Sequence, residues 1–174
     1  ANNNWERAIY FSSPGGSDVS LSLLRGMTGR DGYVKQNGMT FELNPVRGNS
    51  NSINREKMYT NLMEVYSFGA MSNPDVLTDY YARRHTNQYR SHFLRLAEDY
   101  AVAALQAEME FERFDMMRKM NPDMVVPAPT TSKKDIEAYR KRAIALINKS
   151  LEVMPAEIVL DYGQPNASGD PRND

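Results

Sequence analysis

Between Pro74 and Met120 the chain has neither glycine nor proline, and nothing else in its 174 residues limits the fold so strongly. The preceding SNPDV supplies a capping side chain at Asn73 and a proline at the first helical position. Helices start this way because the missing proline N–H falls where no intrahelical bond is made. From Pro74 to about Met120 nothing breaks a helix, and one that is continuous would be roughly 70 Å long at ~1.5 Å per residue.

Its apolar residues do not keep to one side. Val76, Leu77, Tyr80 and Tyr81 cluster together. From Tyr89 onward the stripe Tyr89, Phe93, Leu96, Tyr100, Ala103, Ala107, Phe111, Phe114 lies almost opposite, and the phase changes within ARRHTNQ. Such a helix either bends there or meets different neighbours along its length. The stripe steps by threes and fours, as a bundle seam does. A second row of Leu94, Ala97, Ala101, Leu105, Met109 and Met116 widens it beyond what a two-stranded coiled coil uses, so a multi-helix bundle is expected.

Around this helix the organisation is coarser. Residues 1–50 are irregular, with Ser17 or Asp18 placed to cap a short helix ending near Leu24. A hairpin is predicted over 33–43, because Asn37-Gly38 sits between alternating residues and both turn positions favour positive φ. A lone hairpin is marginal in water, so this one needs helices or another strand beside it. INREKMYTNLMEVYSFG reads as a helix from the spacing of Ile53, Met58, Leu62, Val65 and Tyr66 or Phe68. After the Pro-rich connector NPDMVVPAPTTS, Ser132 and Asp135 resemble a capping box with aspartate in the glutamate position. The helix that follows carries Ile136, Tyr139, Ala143, Ile147, Leu151 and Met154 on one face and stops at Pro155. EIVLDY suits a short strand, and GQPNASGDPRND a disordered tail.

The expected fold class is mainly α: a helical bundle with one long amphipathic helix, a small N-terminal β-hairpin region and a disordered C-terminal tail. Three regions are expected, an irregular 1–50, a helical 51–155 and a flexible 156–174. Hydrophobic residues at 41% and charged residues at 25% fit a folded chain with substantial loop content.

Composition narrows the function. Basic and acidic residues number 21 and 22, a net charge of −1, so no global field draws the chain to phosphate or to anionic membranes. The absence of cysteine excludes disulfides, thiolate metal sites and cysteine nucleophiles. SSPGGSD and GMTGRDG lack the lysine and hydroxyl of a phosphate-binding loop. Ser12, Ser13 and Ser17 stand in no recognisable nucleophile setting. Glu108 and Glu112 lie one helical turn apart, but neither His85 nor His92 completes a Glu-x-x-His pair, so a charged surface is favoured over a metal site. No run is long and apolar enough for a membrane-spanning helix. The first residues show no charged segment followed by an apolar stretch. Any export signal has therefore been removed or never existed, and the compartment stays open between cytoplasm, virion and extracytoplasmic space.

Two clusters offer partner-binding chemistry. DYYARRHTNQYRSHFLRL holds Arg83, Arg84, Arg90 and Arg95 on adjoining lines away from the apolar seam. The favoured reading is a solvated face, partly neutralised by Asp79 and Asp99; the sharper one is a row of cations for nucleic acid or an acidic protein. Met116, Met117 and Met120 crowd the end of the long helix with Met109 and Met124. They are read first as flexible core filling and, if exposed, as a docking patch. The expected function is a non-enzymatic structural or assembly subunit of a larger complex, such as a virion component or a part of a secretion or conjugation apparatus. It would need no cofactor or metal and would pair with other protein subunits as a homo- or hetero-oligomer. A helical nucleic-acid-binding protein is the alternative.

Overall fold

The computed structural model describes residues 7–11, 32–48, 53–76, 80–121 and 125–155. The short helix expected near Leu24, the glycine loops, the EIVLDY strand and the C-terminal tail all lie outside the described residues, as do the side chains of Arg83 and Arg84. The fold is mainly α with a small N-terminal sheet: β1 (Ile9–Phe11), β2 (Gly32–Gln36), β3 (Phe41–Gly48), α1 (Arg55–Thr60), α2 (Tyr80–Met120) and α3 (Lys133–Val153).

The hairpin forms where Asn37-Gly38 placed it. Its loop is longer than two residues, because Gln36 pairs with Phe41 and the Asn37 N–H donates to the Thr40 carbonyl at 2.9 Å. Gly38 adopts φ +115°, which glycine tolerates and a side chain would not. β1 adds to the other edge of β3 in antiparallel register, Tyr10 opposite Glu42, giving the order β1-β3-β2. The third strand escapes a local reading because its partner lies far along the chain. Val34 and Phe41 make a small core of their own under Phe11 and Leu43.

α1 starts at an Asn54 cap whose side chain accepts from the Lys57 N–H. It does not run on as α-helix to Phe68. Asn61–Val65 form a π-helical turn closed by the Tyr66 N–H on the Asn61 carbonyl at 2.8 Å, after which Tyr66 is extended. Val65, expected on the buried face, is exposed.

The long helix is unbroken from Tyr80 to Met120, but its start differs from the prediction. Asn73 does accept from the Asp75 N–H at 3.0 Å, yet Pro74–Val76 form a turn rather than a helical first turn. A side chain that closes a tight turn competes with propagation of the helix. α3 begins at the complete capping box of Ser132 and Asp135 and ends at Met154.

The main core sits where α1, α2 and α3 meet. Met58 and Leu62 pack on Phe93, Leu96, Ala97 and Tyr100, with Leu146 and Met154 closing from α3. Further along, Ala104 and Ala107 receive Ile136. Small residues here let two helices approach closely. The predicted face of α3 is buried at Ile136, Ala143 and Met154 and half-buried at Tyr139, but it departs in the second half of the helix: Leu146 and Ser150 turn inward, whereas Ile147 and Leu151 are exposed. With the Lys133 ammonium 5.7 Å from the centre of the Phe111 ring, α2 extends past the start of α3.

Candidate functional site

Three groupings of polar or apolar side chains could carry function. The first docks the hairpin on the helices. Gln36, fully buried, donates from Nε2 to the Gly38 carbonyl and to His92 Nδ1, both at 2.8 Å. Because this amide already points its N–H groups outward, His92 must accept at Nδ1 and is held as the neutral tautomer. Burial, and then the Arg95 charge, lower the affinity of His92 for a proton. Asn61 donates to the Asn37 carbonyl, Asn37 to Glu42, and the Met39 N–H to the Tyr66 hydroxyl. Lys57 bridges Glu42 at 3.0 Å and the Tyr10 hydroxyl at 2.8 Å, and these two bonds, Tyr10 foremost, hold its proton more firmly. His85, by contrast, is exposed. This network joins sheet to helix and engages its members with one another, except at Gln36 Oε1 and Asn37 Oδ1, which are buried without a hydrogen-bond partner among the described residues.

The second grouping lies between α1, α2 and α3. Arg142 donates to Glu56 and to the buried Tyr100 hydroxyl at 3.0 Å and stacks over the Tyr59 ring at 5.1 Å. Arg55 pairs with Asp99 and lies over Tyr139. Burial raises the Tyr100 pKa, while the Asp99 hydrogen bond raises that of Arg55 against its own desolvation. Two cations meet two carboxylates here, which makes a clamp between helices rather than an unpaired acid or base.

The third grouping is apolar. Leu94, Leu105, Met109 and Met116 on α2 each leave 52–60% of their surface open, and Ile144 and Leu151 on α3 leave 59% and 53%. Of the second row read along α2, only Ala97 is buried. Met120 is exposed at 77%, so with Met116 it is not core filling; Met117 is half-buried.

The remaining predicted residues sort as follows. Arg90 is half-buried and donates to the Met154 carbonyl at 2.6 Å, capping the end of α3. Arg95 has interactions of its own. Asp99, expected beside Arg95, is engaged by Arg55. No local signal marks Arg90 as a cap, because its partner lies a whole helix away. Glu108 pairs with Arg140, and Glu110 accepts from Thr130. Among the described residues no group of histidine and carboxylate side chains is placed to hold a metal ion, and no helix is long and apolar enough to cross a membrane.

Comparison with protein-family models, with curated proteins and with solved structures returns no match.

Proposed function

We propose that the chain is a non-enzymatic structural subunit of a larger protein assembly, of the kind that builds a virion or a secretion or conjugation apparatus. The observation that supports this is the apolar row left open along α2 from Leu94 to Met120, on a helix whose opposite side is packed from Phe93 to Ala107. Contiguous apolar surface of this extent marks an interaction site in folded proteins. The polar networks at His92 and at Tyr100 fit the same reading, since each spends its charges on holding elements together.

The test is the size of the particle that contains the chain in an unfractionated extract of the cells that make it, followed by immunodetection. A structural subunit elutes in a particle larger than two copies of itself. Elution as a free chain or a free pair would sink the reading.

A further inference from the structure

Each of the two long helices carries two seams displaced by one residue. On α2 the packed seam is Phe93, Tyr100 and Ala104, and the open one is Leu94, Ala101 and Leu105. On α3 the packed residues Ala143, Leu146 and Ser150 are followed, one position later, by the open Ile144, Ile147 and Leu151. One residue is a turn of about 100° around a helix, close to the corner angle of a four-helix bundle.

The two open seams border the same side of the helix pair. Arg140 precedes Ile144 and Ile147 in the α3 row, and Glu108 follows Leu105 in the α2 row; these two form an ion pair across the pair of helices. The opposite side is occupied, because Arg142 and Tyr100 are tied there to Glu56 of α1.

We infer that this face is closed by a second copy of the chain, which packs its own α2 and α3 outer rows against the first to make a four-helix layer. The inference rests on the assembly reading and names the immediate partner. A face made of two antiparallel rows is matched in width by another antiparallel pair, and the chain itself supplies one. The open side chains together present apolar area on the order of the ~800 Å² per partner that a stable association buries.

The experiment is the absolute mass of the purified full chain by light scattering over a concentration series, for the wild type and for Leu105→Lys combined with Ile147→Lys. Both positions lie outside the cores, so helix content by circular dichroism stays at the wild-type level. The expected result is a wild-type pair and at least ~100-fold weaker self-association in the double variant. A wild type that stays single throughout the series, or a pair indifferent to the two lysines, overturns the proposal. A single wild-type chain that nevertheless runs in a larger particle in extract discards the second copy and keeps the assembly reading. A free pair in extract does the reverse.

Discussion

Phe93 and Leu94 are neighbours in sequence and opposites in fate: the first is wholly buried against Phe68 and the α1 core, and the second leaves more than half of its surface open. The same contrast repeats along α2, with Tyr100 against Ala101 and Ala104 against Leu105. Both rows carry the spacing of a packed seam. Periodicity therefore reports that a row has the spacing to pack, while which row the chain covers depends on elements elsewhere in its sequence.

The largest test of this contrast lies on its inner side. Phe93→Ala should cost about 3–5 kcal/mol in urea unfolding, because the cavity opens where α1, α2 and α3 meet. A loss under ~1 kcal/mol would mean that the inner seam is no better packed than the outer one.

The inner side of α2 also receives the hairpin. Gly38→Ala should cost about 1–3 kcal/mol from its positive φ, and the new Cβ would stand 2.7 Å from the Tyr66 hydroxyl, forcing that ring away. A variant as stable as wild type would show that the loop docks loosely.

The hairpin contact has a pH signature as well. The folded-state pKa of His92 lies below the ordinary imidazole value of 6.5, so as pH falls the unfolded chain takes up the proton first. This contribution is intact above that value and is lost as pH drops through it. Urea midpoints should fall between pH 7.5 and 5.5, and His92→Gln should flatten the fall; an unchanged slope in the variant would place the titration elsewhere.

Smaller effects come next. Ser132→Ala removes the cap of α3 and should cost about 1 kcal/mol. Leu94→Ala, one residue from the most sensitive position, should change the stability of the isolated chain by no more than ~0.5 kcal/mol. A larger loss at Leu94, growing with protein concentration, would show that its cover is already present in solution.

Local signals in the sequence located the parts that local forces build. The Asn37-Gly38 hairpin, the Ser132–Asp135 box and the unbroken α2 all follow from residues within a few positions of one another. What escaped depended on distance along the chain. β1 pairs with a strand beyond a long intervening segment, Arg90 caps a helix end far downstream, and Gln36 reaches His92. The π-helical turn at Asn61–Val65 has no sequence mark, since the added residue serves to bring Tyr66 to the hairpin loop. For the candidate surface, the rows on α2 are legible from spacing, Leu105 and Met116 among them. Which row the chain would cover is not, because the α3 face depends on whether Leu146 or Ile147 turns inward.

The end of α2 that extends past the start of α3 has a chemical consequence. Met116 and Met120 are open to solvent there, while Met58 and Met154 are sealed in the core. Peroxide reaches thioethers in order of exposure, and a sulfoxide is polar where a thioether is apolar. Among the described methionines, mild oxidation should therefore mark Met116 and Met120 first, making the outer row hydrophilic at one end while the fold beneath it stays intact.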